Sequence, residues 1–200
     1  MLLRFSAFLY MICLVILAVV LFFLWHKKRS VPYLICFSLF WIYMLTAIDK
    51  VFFPIPLDEH LNDPYHLSAW ARISLMPFYF GGNPSVQGII KALAYNVLLT
   101  MPFGFGINFI ARIKPKWILF LCAAVGIGSE LLQLVISLLI SYPYRVIDIN
   151  DALSNALGVL LGYLIFRLFG SIYFRVTESQ KLKHKGLSLF IFETVIRYKN

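Results

Sequence analysis

Glu130, Asp148 and Asp151 lie in or beside long apolar runs, together with Lys50, Arg145, Asn96, Gln133 and Asn155. Residues of these types support three kinds of chemistry. Arg145 and Lys50 can grip an anionic group, since a guanidinium meets phosphate or carboxylate bidentately. Glu130 or Asp151 can act as a general acid or base. Glu130, Asp148, Asp151 and Asn155 offer hard oxygen donors of the kind Mg²⁺ or Ca²⁺ takes, so a divalent cation is allowed. No specific motif asks for one, and no cofactor is expected. H-E-x-x-H, a phosphate loop and a nucleophile–base pattern are all lacking. His26, His60, His66 and His184 are scattered in loops and flanks and share no face with the carboxylates.

The elements that must position these residues follow from composition. Of 200 residues, 61% are apolar and 14% charged. A soluble domain has roughly 45–50% and about 25%, so a water-facing surface cannot be built from this chain. It reads as all-α, a polytopic transmembrane helical bundle. About twenty apolar residues cross a bilayer as a helix. Five runs qualify: Phe5–Trp25, Val31–Phe53, Leu93–Ile110, Trp117–Ile140 and Ala152–Phe169. The first reads as a retained signal anchor, because its apolar stretch is too long for a signal peptide and Lys27, Lys28 and Arg29 follow it. Asn83-Pro84 reads as the N-cap and first position of the third helix, and Pro102 should kink it. Cys13, Cys36 and Cys122 sit within apolar runs and read as small hydrophobes.

The net charge of +9 suggests topology before nucleic acid. With five spans, one side receives Lys27–Arg29, the three cations of Arg112–Lys116, and seven more from Arg167 onward. The other side receives Arg4, Arg72, Lys91 and Arg145. The expectation is therefore an N-terminus outside and a C-terminus in the cytosol. Three parts follow: a signal-anchor helix and basic loop over 1–30, a transmembrane domain over 31–170, and a basic tail over 171–200. Within that tail Gly186–Tyr198 reads as an interfacial helix. Nucleic-acid binding is not expected, as no folded platform surrounds the charges. The loop Pro54–Gly88, with Asp58, Glu59, Asp63, Trp70 and Arg72, faces outward and suggests a lid.

On helices turning about 100° per residue, the polar residues gather. Gly126, Ser129, Glu130, Gln133 and Ser137 share one face of the fourth span. Asp151, Asn155, Gly158 and Gly162 form a narrow stripe on the fifth, polar above and glycine below. Asn96, Thr100 and Gly104 form a looser one on the third. With the spans alternating in direction, Lys50, Asn96, Glu130, Gln133, Arg145, Asp148, Asp151 and Asn155 converge on one depth near the outer face. The expectation is a polar pocket opening outward. Competing structural roles exist for each member. Asp148 and Asp151 suit an N-cap and a first-turn acid. Asn96 and Asn155 suit interhelical bonding, and Gly158-x-x-x-Gly162 suits a close helix crossing. Lys50 can snorkel to the headgroups. Glu130 requires a partner at that depth, and pairing with Arg145 holds only if well hydrogen-bonded.

The same residues resemble the VanZ-like family, named after a protein of glycopeptide-resistance clusters that raises tolerance to teicoplanin. The resemblance rests on Leu75-Met-Pro-Phe78, on Asn96-x5-Pro102-x-Gly104, on Glu130-x-x-Gln133, and on the string Arg145-x2-Asp148-x2-Asp151-x3-Asn155-x2-Gly158-x3-Gly162. It covers about residues 40–170. Thr100 departs from it, standing where the family tends to have Phe. The resemblance implies a multi-pass protein of the bacterial plasma membrane, linked with glycopeptide tolerance. Membrane lipid is then the expected partner, with a cell-wall precursor or glycopeptide as further ligands. Two readings follow: a non-enzymatic protein whose pocket binds a headgroup, precursor or partner, and an embedded enzyme with Glu130 and Asp151 as acid/base or metal ligands. Ion-coupled transport draws on Glu130 alone, and no internal repeat supports alternating access.

Overall fold

The computed structural model describes residues 2–57, 68–80, 85–179 and 184–198. Helices dominate it: α1 (Ala7–His26), α2 (Val31–Phe52), α3 (Val86–Ile110), α4 (Ile118–Leu139), α5 (Ile149–Ser179) and α6 (Leu187–Ile196). Five of them, α1 to α5, are long and apolar enough to cross a membrane. The chain is an all-α polytopic bundle.

Four two-residue strands bind the loops at one end. Leu2–Leu3 (β1) runs antiparallel to Ile55–Pro56 (β2), with Leu2 opposite Pro56. Ile73–Ser74 (β3) runs parallel to Ile147–Asp148 (β4), with Ile73 opposite Ile147. The chain start, the α2–α3 loop and the α4–α5 loop therefore share one end of the bundle. The opposite end carries the α1–α2 and α3–α4 connections and α6. There Phe190 of α6 meets Tyr33 and Phe109 edge-on or tilted. Tyr198 accepts from the Ile113 N–H at 3.0 Å. Burial raises the Tyr198 phenol above its ordinary range, and the Ile113 N–H partly offsets that.

Several boundaries differ from the sequence reading. The Asn83-Pro84 cap lies outside the described residues, as do Asp58, Glu59 and Asp63 of the loop. Ser85 caps α3 instead, its Oγ accepting from the Gly88 N–H at 3.1 Å. The fifth helix runs on past Phe169 to Ser179 because α6 folds back on the extension. Tyr173 Oη donates to the Ser188 carbonyl at 3.0 Å, and Gly170 leaves room for Val195.

At the centre stands α5, packed against α3 and α4. Val159 is fully buried and Phe166 nearly so. Small residues permit this closeness. A Cβ on Gly162 would run into the Met101 carbonyl, and one on Gly104 into the Val159 carbonyl. On Gly158 it would meet the Thr100 hydroxyl and the Val97 carbonyl, and on Gly126 the Ala152 carbonyl of α5. Between membrane helices, where lipid is as apolar as the side chains, such close approach is a main source of association. By contrast α1 touches mainly α2 and leaves most of its surface to lipid, with Leu17 its one buried residue.

Gly162 and Gly128 therefore should respond oppositely to the same change. Gly162→Ala forces backbone apart and is expected to cost about 1–3 kcal/mol, the usual range for overpacking. Gly128 faces open space, so Gly128→Ala should be neutral or gain up to about 1 kcal/mol from helix propensity. Thermal unfolding in detergent reads both.

Candidate functional site at one end of the bundle

Polar side chains from three helices and the α4–α5 loop meet at the end that holds the strands. Glu130 is 6% exposed on α4, and its Oε2 accepts the backbone N–H of Asp148 at 3.0 Å. That bond fixes the α4–α5 connection as it turns into α5. Asp148 in turn caps α5, its Oδ1 accepting the Asn150 N–H at 2.8 Å, which satisfies one orphan donor of the first turn. Asp151 follows within that turn. Its Oδ1 accepts from Asn96 Nδ2 at 2.7 Å, joining α5 to α3. One turn lower, Thr100 Oγ1 donates to the Asn155 carbonyl at 2.8 Å, and Asn155 Nδ2 donates to Ser129 Oγ at 3.2 Å. Asn155 thus joins α3, α4 and α5.

Arg145 and Gln133 hold the end of α2. Arg145 NH2 donates to the carbonyls of Phe53 and Lys50 at 3.1 and 3.3 Å. Gln133 Nε2 donates to the Val51 carbonyl at 3.1 Å. The last carbonyls of a helix have no partner within it and carry its negative pole, so a guanidinium there is favourable. The Glu130–Arg145 pairing, allowed from sequence only if well hydrogen-bonded, forms no hydrogen bond among the described residues. The carboxylate takes a backbone N–H and the guanidinium takes carbonyls, each finding a nearer partner than the other. Glu130, Asp148, Asp151 and Arg145 still lie close enough to act on one another electrostatically. Arg145 keeps its Nε buried without a hydrogen-bond partner. Beside it Tyr144 has its ring 5.9 Å from the guanidinium carbon. Burial raises the Tyr144 phenol, and the Arg145 charge opposes that rise.

Of the expected residues, Glu130, Gln133, Arg145, Asp148, Asp151, Asn96 and Asn155 are brought together. Lys50 enters through its carbonyl, and its side chain is exposed. Pro102, Gly104, Gly158 and Gly162 lie in or beside the α3–α5 crossing below. Tyr43 on α2 donates to the Leu99 carbonyl at 2.6 Å, next to the turn where Pro102 removes a helix bond. Among the described residues, no three His, Cys, Asp or Glu side chains are grouped so that they could hold a metal ion.

Asn150 belongs to the site and was missed from sequence. Its Oδ1 accepts the Phe78 N–H at 2.7 Å, and its Nδ2 donates to the Tyr79 carbonyl at 3.1 Å. This buried amide clamps the 68–80 segment onto the start of α5. The signal was present, as an amide between Asp148 and Asp151, but its partner lies 72 positions away. Phe78 is held at φ 62° and is 81% exposed. A bulky side chain in the left-handed region is strained, and the Asn150 bonds on either side maintain it.

A VanZ/LLP1 family model matches residues 40–170. The chain belongs to the VanZ/LLP1 family. No match was found among curated proteins or among solved structures. The VanZ/LLP1 region takes in α2 from Phe40 onward, α3, α4 and most of α5, so every side chain of the polar cluster falls inside it. The segment 1–39, which includes α1, and α6 lie outside the VanZ/LLP1 match.

Asn150→Ala should leave the Phe78 N–H and the Tyr79 carbonyl without their side-chain partner and cost about 1–3 kcal/mol. Phe78→Gly should gain on the order of 1 kcal/mol by relieving the left-handed strain. Thermal unfolding of the purified protein checks both, and limited proteolysis within 68–80 should speed up only in Asn150→Ala.

Proposed function

We propose that this VanZ-like protein is a non-enzymatic membrane protein of the cell envelope. Its polar cluster binds the headgroup of a membrane lipid or of a lipid-linked cell-wall precursor, and so alters glycopeptide susceptibility at the outer face. The observation that carries the reading is Arg145. Its Nε is buried without a partner, among three carboxylates, at the mouth of the bundle. An unsatisfied buried donor is costly, and an acceptor oxygen from a ligand would relieve it. One guanidinium among three carboxylates favours a group that carries both phosphate and amine. The phosphate would meet Arg145 and Lys50, and the amine would meet Asp148 and Asp151.

Orientation belongs to the same proposal. The end opposite the cluster carries Lys27–Arg29, Arg112, Lys114, Lys116, Arg175 and Arg197, and the positive-inside bias puts that end in the cytosol. Exposed Trp70, Leu75, Met76 and Phe78 beside the cluster then lie at the outer headgroup level. Single cysteines placed in a cysteine-free background at Val146 and at Lys116 test this. A membrane-impermeant maleimide on intact cells should label the first and not the second, and the reverse pattern overturns the orientation.

Lipid binding is read with nanodiscs that carry phosphatidylethanolamine, phosphatidylglycerol or phosphatidylcholine, and with a labelled lipid-linked precursor. Arg145→Ala should weaken phosphate-bearing headgroups roughly 10- to 150-fold, the worth of one charged hydrogen bond of about 1.5–3 kcal/mol. Asp151→Asn keeps the shape and removes charge, so it should erase the preference for the amine-bearing headgroup. Glycopeptide tolerance should fall in both variants. Turnover of the precursor by wild type, abolished in Glu130→Gln, would replace this reading with the enzymatic one.

A further inference from the structure

Beneath the polar cluster a crevice of about 230 Å³ separates α2 from α4. Tyr43, Ala47 and Val51 form one wall, and Ala124, Gly128 and Leu132 form the other. Thr100 and Asn155 close its floor. The two walls are joined near the polar end, where Gln133 holds the Val51 carbonyl. Lower down α2 leans on α3 while α4 leans on α5. Ala124 and Leu132 are exposed, and a Cβ on Gly128 would meet nothing within 4 Å. The crevice therefore opens sideways, toward the lipid.

Its polar lining is nearly all engaged. Tyr43 donates to Leu99, Thr100 to the Asn155 carbonyl, and Ser129 to the Gly126 carbonyl. Asn155 is 5% exposed, and its Oδ1 has no hydrogen-bond partner. An amide oxygen unsatisfied at that depth is costly in a bilayer. It marks a place for a donor within an otherwise apolar groove. The volume falls below the roughly 300–1,000 Å³ of drug-sized ligand sites, and suits a segment of linear chain.

We propose that the α2–α4 crevice holds the hydrocarbon chain of a membrane lipid that bears a hydroxyl at its glycerol level, with that hydroxyl donating to Asn155 Oδ1. The outer lip, at Val51 and Phe52, adjoins the carbonyls held by Gln133 and Arg145. A chain seated here brings its polar end to the cluster. The inference rests on the headgroup reading only for that last step. The α2–α4 gap is a lateral entrance, and ligand reaches the site from within the leaflet.

The test uses the full-length protein in nanodiscs with two probes that carry the same diazirine acyl chain and the same headgroup: lysophosphatidylethanolamine, which has a free glycerol hydroxyl, and phosphatidylethanolamine, which has none. Photolabelled residues are mapped by mass spectrometry. Lysophosphatidylethanolamine should label Ala124–Leu132 and Tyr43–Val51 in preference to the exposed face of α1. It should exceed phosphatidylethanolamine there by roughly threefold to tenfold, what one net hydrogen bond is worth. Asn155→Ala should bring the two probes to parity. Gly128→Phe should fill the crevice and abolish its labelling while leaving α1 labelled as before. Should that variant not fold, Ala47→Leu fills the crevice from the other wall and is read the same way. Equal labelling of the crevice and the α1 face overturns the proposal, as does a cross-link from the crevice to a second copy of the chain. Arg145→Ala leaves the crevice lining intact. Crevice labelling retained in Arg145→Ala, with phosphate binding equal to wild type, would sink the headgroup reading alone. Loss of preferential labelling in the wild type would sink the crevice alone.

Discussion

The backbones of α3 and α5 come into direct contact, and the rest of the molecule is arranged around that crossing. Gly104, Gly158 and Gly162 each abut a carbonyl or hydroxyl of the facing helix, where a methyl group has no room. Lipid offers no hydrophobic drive for two apolar helices to associate, so close fit and interhelical hydrogen bonds must supply it. The Thr100–Asn155 bond lies within this contact, and the Asn96–Asp151 bond lies directly above it. Below it, Phe166 packs against Phe105, Phe109 and Tyr198. Movement of α5 by a fraction of an ångström would disturb all three levels together.

A second constraint shapes the polar end. Backbone groups that cannot reach water must find partners within the protein. The carbonyls ending α2 are met by Arg145 and Gln133, and the N–H groups starting α5 are met by Asp148 and Glu130. The charged residues are thus first engaged in holding helix ends. They leave Arg145 Nε above and Asn155 Oδ1 below buried without a hydrogen-bond partner. The proposed lipid would set its headgroup at the first and its glycerol hydroxyl at the second.

Much of this was legible in the residue pattern. Five apolar runs of adequate length gave the spans, because the bilayer imposes one length on every crossing helix. The spacing of Asp151, Asn155, Gly158 and Gly162 put them on one stripe, and the fold sets that stripe against α3. Pairwise partners were less legible. Glu130 and Arg145 are complementary in charge, yet each is held by backbone whose position depends on how the loops close. Asn150 escaped notice because its partners, Phe78 and Tyr79, sit in a loop without periodicity. Within the basic tail, Gly186–Tyr198 read as an interfacial helix; α6 forms there, and one of its faces packs on the bundle end, burying Phe190, Thr194 and Val195.

Composition and spacing alone were enough to establish a membrane bundle, its helices, the faces that carry polar groups, and the end of the bundle at which those groups gather. These depend on local periodicity and on the thickness of the bilayer, both of which act on each segment separately. Which donor meets which acceptor, which polar atoms are left unfilled, and where a gap opens between α2 and α4 depended on how the helices pack. Those features arise from distances between segments remote in the chain, and no periodicity within one segment encodes them.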